Sequence, residues 1–556
     1  MTGTVSLVIA VTGHRDLHPD DAGGFEDGIG KTFASLRRSY PNTPLLLLSG
    51  LAEGGDRIAV RAALKAEVPY IAVLPMPVAL YRQEFTSEAS DAEFEDLRQG
   101  ARRSIELPLA GNSTLDDVSR PGPARDGQYE SLGRFLVEYS QILIAIWDQD
   151  RNATRGGTSQ VVALKLREEP PSGRLAFSRI NAEGAGPVFV LPARRAGAQS
   201  GVTPALKCEV RCPASSSFEA YAASYGLVDR FNADVARAGG YFAKSAERSR
   251  SDLVGGATGL SEAMEWVAGV YARADALAVH LAAVSLGIWK AVFILLALSG
   301  VALAWLHMMN GGPPSLWAYY VCCGAAVGLI LYERRAKRPE RQEDYRALAE
   351  ALRVQFFWMA AGLRDMAAEH YLRKQAEETV WIRDAMSECG LYDDVLERSS
   401  AGGQYRAARF RLAHTWVAGQ ASYFSNRKRR HERKKRALAV FAWLAGGVGL
   451  SAPLVGLFVA RFEKWSHVTA AIAMWWAALT WTYIERRGFA QEARQYGRMY
   501  RLFHDADEDL TQFEKSEDLD ASEEAIRVLG CEALAESGDW LTMHRERKLP
   551  VQIATQ

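Results

Sequence analysis

The sequence predicts two regions of different class. Residues 1–215 read as an α/β domain, and the remainder reads as an all-α membrane region with two transmembrane helical hairpins. Three observations carry this prediction. Near-continuous apolar runs alternate with helical stretches up to about residue 200, the mark of parallel strands covered on both faces. From residue 216 strand signals vanish and helical periodicity takes over. Two pairs of long apolar runs follow, each trailed by a charged helix, as an internal repeat.

Strands are expected at 5–13 (VSLVIAVTG), 44–50 (PLLLLSG), 70–75 (YIAVLP), 142–148 (ILIAIWD) and 187–192 (PVFVLP). Helical segments such as DRIAVRAALKAE and QYESLGRFLVEYS separate them, so the domain is expected to be an open Rossmann-like sheet. The Pro/Gly/Ser-rich segments 111–127 and 196–217 read as surface loops. A helical linker fills 216–285. The first hairpin and its trailing helix span 286–345, with apolar runs at 290–309 and 315–332 around the turn NGGPP. A second, cytoplasmic helical linker covers 346–425. The second hairpin and trailing helix span 426–505, with apolar runs at 437–460 and 468–484. Residues 506–556 read as an acidic, solvated tail. Glu-Arg-Arg at 333–335 and 485–487 marks the repeat, and Tyr345 and Tyr496 follow with an offset of one residue.

A spanning helix needs about 20 apolar residues. The third run clears this, the second and fourth are short, and the first needs Lys290 at its boundary. Lys290, Arg334, Arg335, Arg486, Arg487 and the 427–436 block lie on one side of the runs, while the opposite loops, 310–315 and 461–467, carry none or few. Trp305, Trp317, Tyr319, Trp481 and Tyr483 sit near the run ends. The positive-inside rule then places the sheet domain and both termini in the cytoplasm, with four transmembrane helices. The competing reading is a pair of hairpins buried in a soluble bundle. Gly324, Gly328, Ala445, Gly449 and Gly456 permit close helix packing, and Pro453 is expected to bend its helix.

Charge and cysteine content exclude several classes. Lys+Arg and Asp+Glu both number 66, so net charge points to no polyanionic partner, and no nucleic acid is expected. The balance hides local blocks: eight basic residues in 426–436 and ten acidic ones in 505–524. Beside a helix end the basic block suits topology and anionic lipid better than nucleic acid. Cys208, Cys212, Cys322, Cys323, Cys389 and Cys531 are too scattered for a disulfide framework or a metal site, so no metal is expected. MTGTVSLVIAVTGHRD lacks a basic n-region and a cleavage motif, and reads as a first strand.

In an open α/β sheet the ligand sits outside the carboxyl ends of the strands. Four segments should meet there: TGHRD (12–16), SGLAEGGDR (49–57), Asp148 and RGGTSQ (155–160). Glycines bring backbone N–H groups close to an anion, and a helix N-terminus favours negative charge. The candidate binding residues are Gly13, His14, Arg15, Ser49, Gly50, Gly54, Gly55, Arg57, Asp148, Gly156, Gly157 and Thr158. Arg15, Arg57 or Arg155 would pair with phosphate, Thr158 would cap a helix or bond a phosphate oxygen, and Asp148 would contact a ribose or base.

These segments, in this order and each after a strand, resemble the SLOG superfamily of Rossmann-like domains, related to LOG enzymes and the DprA family. The likeness covers about the first 200 residues. The hairpins with trailing charged helices resemble SLATT-type two-transmembrane effector modules of bacterial defence systems. The resemblance implies a bacterial inner-membrane protein that senses a nucleotide second messenger or an NAD-derived molecule and acts on the membrane, as a homo-oligomer and with no required cofactor. LOG-type phosphoribohydrolases carry PGGxGTxxE. Here Gly156-Gly157-Thr158 is followed by Ser159-Gln160, with neither the Pro nor the Glu. Gln160 cannot serve as a carboxylate base. The expectation is therefore a receptor with no catalytic residue. Glu53, Asp56 and Asp148 keep a membrane-anchored nucleotide N-glycosidase open as the alternative, and a scaffold with a non-binding domain is a third reading.

Overall fold

A computed structural model describes residues 3–85, 87–150, 155–168, 184–197, 208–214, 216–257, 259–308, 312–371, 379–392, 403–516 and 518–546. Seven strands form one sheet: β1 (Leu7–Gly13), β2 (Leu45–Ser49), β3 (Tyr70–Leu74), β4 (Arg103–Glu106), β5 (Ile142–Trp147), β6 (Val188–Pro192) and β7 (Glu209–Arg211). Their order is β4-β3-β2-β1-β5-β6-β7. All neighbours run parallel except β6 and β7. The central strands are the apolar runs of the sequence, and every residue of β2, β3 and β5 is buried. Ile9 at the centre of β1 pairs with Leu47 on one side and Ile142 on the other.

The helices of this region are α1 (Ala22–Ser39), α2 (Gly55–Lys65), α3 (Val78–Tyr81), α4 (Glu88–Gly100), α5 (Leu115–Ser119), α6 (Pro123–Glu138), α7 (Thr158–Leu166) and α8 (Phe218–Arg237). Phe25, Ile29, Phe33 and Leu36 recur at helical spacing and give α1 the stripe that packs with Leu7, Ile9 and Val11. Two expected loops hold regular structure. In 111–127, Thr114 and Asp117 form a capping box that starts α5, and Pro123 occupies the first turn of α6. In 196–217, β7 closes the sheet edge; residues 198–207 and 215 of that segment lie outside the described residues.

The chain divides into two compact units. The first comprises Met1–Ala243, Leu260–Val270 and Met366–Asp394, and the second Lys244–Gly259, Tyr271–Asp365 and Val395–Gln556. Distant segments are tied into the first unit by polar contacts: Ser6 donates from N and Oγ to Glu388 (2.7 and 2.8 Å), and Asn232 bonds both N and O of Val5 (3.0 and 2.8 Å).

The remaining helices are α9 (Gly240–Val254), α10 (Glu262–Met308), α11 (Pro313–Ala336), α12 (Arg338–Ala361), α13 (Ala367–His370), α14 (Val380–Ser387), α15 (Gly403–Phe458), α16 (Glu463–Arg487), α17 (Phe489–Ser516) and α18 (Leu519–Glu546). The internal repeat is a three-helix unit, α10-α11-α12 and then α15-α16-α17. In both copies a left-handed residue turns the second helix into the third: Lys337 (φ 46°, ψ 33°) and Gly488 (φ 59°, ψ 31°). Their N–H groups donate to Arg334 O (3.3 Å) and Glu485 O (3.1 Å). Tyr345 and Tyr496 both lie eight residues past this corner, so the one-residue offset of Glu-Arg-Arg arises before it. α15 continues unbroken through Pro453.

Among the described residues, three helices are long and apolar enough to cross a bilayer: Glu262–His307, Pro313–Ala336 and Phe410–Phe458. The expected fourth, α16, is not among them. α16 falls short because Thr469, Thr480, Thr482 and four indole or phenol rings interrupt its apolar run. Large apolar side chains on these helices lie open: Trp443 is 75% exposed, Leu457 79% and Phe458 84%. A soluble bundle would cover such a band. The turn residues 309–311 lie outside the described residues.

Among the described residues the acidic C-terminal block is largely helical, with its acids mostly on the solvent face. It forms the end of α17 and the start of α18, and α18 packs on α12. Trp358 Nε1 donates to Ile526 O (3.2 Å), and Arg527 pairs with Asp365 (3.0 Å). Residues 547–556 lie outside the described residues.

Candidate functional site

β2, β3 and β4 continue to one side of β1, and β5, β6 and β7 lie on the other. The strand order therefore reverses between β1 and β5, and a crevice opens outside their carboxyl ends. Gly13, His14 and Arg15 leave β1 there, and Asp148 leaves β5. His14 N donates to Ile146 O (3.2 Å), and Asp148 N donates to His14 Nε2 (3.2 Å). His14 Nε2 also lies 2.9 Å from the Asp148 carboxylate, with His14 only 9% exposed.

Arg195, which follows β6, completes this group. Its Nε donates to Asp148 (2.7 Å) and its NH2 lies 3.4 Å from His14 Nδ1. Burial pushes the Asp148 carboxyl up, but Arg195 and His14 outweigh it and hold the group at about 2. The sequence reading missed Arg195, although LPARR directly after an apolar strand was the available signal. It also missed Tyr129 of α6. Arg15 donates to Glu84 (2.7 Å) and to the Tyr129 hydroxyl (3.3 Å), and lies over the Tyr129 ring. Arg155 donates to Glu130 (2.7 Å) and Pro123 O (3.2 Å). The side chains of Arg15, Arg155 and Arg195 are each roughly half-exposed, at 41%, 53% and 49%.

The two glycine loops are occupied from within. Gly156 has φ 74°, and a Cβ there would meet Tyr129 Cβ at 2.5 Å, so glycine lets the β5–α7 loop close on α6. Its N–H donates to Gln160 Oε1 at 2.7 Å. Gly157 caps α7 and Thr158 is its first, buried residue. At the β2–α2 loop the N–H groups of Gly50 and Ala52, with that of Gly13 at the end of β1, face the buried Asp56 carboxylate. Burial pushes that carboxyl up to about 7, against the stabilisation of its charged form by these N–H groups and by Arg15. Gly54 (φ 81°) and Gly55 let α2 approach β1: a Cβ on Gly55 would stand 2.7 Å from Gly13 Cα, and Gly55 N donates to His14 O (3.0 Å).

Two predicted residues stand apart from the crevice. Ser49 is fully buried, and its Oγ accepts from Leu51 N (3.2 Å). Arg57 is 2% exposed and turned to α4: it donates to Leu51 O (3.2 Å), Ser90 O (2.9 Å) and Glu93 (2.9 Å), and stacks on Phe85 at 4.6 Å.

No family model, curated protein or solved structure matches the chain. The chemistry of the site therefore rests on its own geometry. Three half-exposed arginine side chains follow the carboxyl ends of β1, β5 and β6, and the N-terminus of α7 follows β5 on the same side, a combination suited to a small polyanion. Among the described residues no group of three or more His, Cys, Asp or Glu side chains could hold a metal.

Proposed function

We propose that this protein is a membrane-bound receptor for a nucleotide-derived anion, such as a cyclic oligonucleotide or an NAD-derived molecule. Occupancy of the β1/β5 crevice controls the apolar helices, which perturb or permeabilise the bacterial inner membrane in anti-phage defence. The observation that carries this reading is the placement of Arg15, Arg155 and Arg195 on the segments that follow β1, β5 and β6, at the carboxyl ends of strands flanking the switch point. In this reading phosphate binds through these cations and the α7 N-terminus, and the 49–57 loop supports them from behind. The carboxylates weigh against an N-glycosidase: Glu53 bonds Ser90 Oγ, Asp56 is buried, and Asp148 is held at about 2, far from the working pH of a general base.

Four spanning helices with cytoplasmic termini fit the packing of α16 on α10. Trp289 stacks under Arg486 (3.4 Å) at one end, and Trp305 meets Trp465 (6.2 Å) at the other. Trp475 Nε1 donates to Leu296 O (2.8 Å) between them. Sixteen residues of helix cover about 24 Å, close to the apolar core of a bilayer. The exposed band favours assembly into a homo-oligomer. The test is a thermal-shift titration of the full-length protein with nucleotide signals, paired with leakage from liposomes that carry it. Stabilisation and leakage by one phosphate-bearing ligand, both lost in Arg15→Ala/Arg195→Ala, are expected. Stabilisation by none of them overturns the reading.

A further inference from the structure

The 427–436 block of α15 is not one undivided patch. Arg427, Arg430 and Lys434 recur at three and four residues and share one face, while Arg429, Arg433 and Arg436 share another. The first stripe meets cations from other helices: His431, within the block, lies 5.8 Å from Phe489, and Arg486 stacks on Trp289, which brings Arg487 of α16 and Lys290 of α10 to the same rim. Among the described residues no carboxylate pairs with any of these six cations. Two acids on the neighbouring helices are engaged elsewhere, Glu492 by His431 (2.9 Å) and Glu333 by Arg338 (2.9 Å). Arg487 Nε is buried without a hydrogen-bond partner.

Like charges gathered from three helices repel unless an anion joins them. This cluster also sits where the apolar runs end, with exposed Trp481, Val440 and Phe441 just beyond it. We propose that Lys290, Arg427, Arg430, Lys434 and Arg487 form a site for the phosphate of an anionic phospholipid headgroup. It joins a helix of the first repeat copy to two of the second. The site rests on the membrane reading above, because a lipid reaches this rim only if the helices span.

The experiment titrates delipidated full-length protein in neutral detergent with short-chain phosphatidylglycerol, phosphatidylcholine or inorganic phosphate, read by thermal shift. Phosphatidylglycerol should stabilise best. Arg430→Gln/Lys434→Gln/Arg487→Gln should raise its midpoint about a hundredfold, since each cation near an anionic surface contributes roughly a factor of five. Arg429→Gln/Arg433→Gln/Arg436→Gln removes the same charge from the other face and should raise it less than about fivefold. Equal shifts in the two triples would mean diffuse attraction and overturn the site. Inorganic phosphate alone matching phosphatidylglycerol would overturn the lipid assignment. Flotation with phosphatidylcholine vesicles separates the two levels of failure. Wild-type protein that floats yet shows no headgroup preference refutes this site alone, whereas protein that stays in the aqueous fraction refutes the membrane reading and the site with it.

Discussion

Asp56 offers the sharpest test of how the sheet unit holds its site. Its carboxylate is 6% exposed and faces three backbone N–H groups, those of Ala52, Gly50 and Gly13. Asp56→Ala would remove the acceptor that these N–H groups face. An orphaned buried donor costs about 1–3 kcal/mol. With some relaxation and water entry, a loss of about 4 kcal/mol is expected, a large share of a typical domain stability of about 5–15 kcal/mol. For a unit of this size that corresponds to a fall in Tm of roughly 8–15 °C. Asp56→Asn keeps one acceptor oxygen and should lose about half as much.

The same residue carries a pH signature. Its folded carboxyl is pushed up to about 7 by burial, and an unfolded Asp titrates near about 3.9. Between these values the folded state binds more protons than the unfolded state. The stabilisation from Asp56 is therefore complete below the unfolded value and is lost as pH rises through about 7. The stability difference between wild type and Asp56→Asn should shrink from pH 5 to 7, by up to about 1.4 kcal/mol per unit, and level off above. Urea unfolding of both proteins across that range measures it. A difference that is flat with pH, or Asp56→Ala melting within about 2 °C of wild type, would refute this account of the buried Asp56 carboxyl.

Other perturbations follow from single contacts. Gln160→Glu keeps an acceptor for Gly156 N–H and adds charge in the first turn of α7, so stability should hold or rise by about 0.5 kcal/mol; anionic ligand should bind more weakly, as calorimetry would show. Lys337→Gly relieves a left-handed non-glycine residue and should stabilise by about 1 kcal/mol, whereas Gly488→Ala at the matching corner should destabilise by about 1 kcal/mol, both read by thermal melts in detergent. In Gly530→Ala the new Cβ would stand 2.5 Å from Trp358 Cε2, inside a fully buried ring, and should cost about 1–3 kcal/mol and expose α18 to limited proteolysis.

The sheet was legible because its central strands are buried on both faces, so ILIAIW and LLLL need no partner to be recognised. β4 and β7 sit at the sheet edges as RSIE and EVR, too short and too charged to stand out. The acidic block misled because charge dominated its composition, while Leu510 on α17, and Ile526, Leu529, Ala533 and Leu541 on α18, supply buried faces. Composition reports the solvent face of such a helix, and periodicity reports its packed face.

The candidate site shows a deeper limit. Glycine loops announce backbone donors, but not what those donors bind. Here Asp56 and Gln160, each lying within the very motif that announces the donors, take N–H groups that an anion would otherwise claim. Arg57 likewise reads as a phosphate partner and instead bolts α2 to α4. The cations left half-exposed at the crevice are each anchored by an acid: Arg15 by Glu84, Arg155 by Glu130, and Arg195 by Asp148 and Asp16. Each such acid fixes the position of a guanidinium and leaves its remaining N–H donors for a ligand. A second anion at this crevice therefore finds donors already oriented, without the ordering that long, free side chains would require on binding.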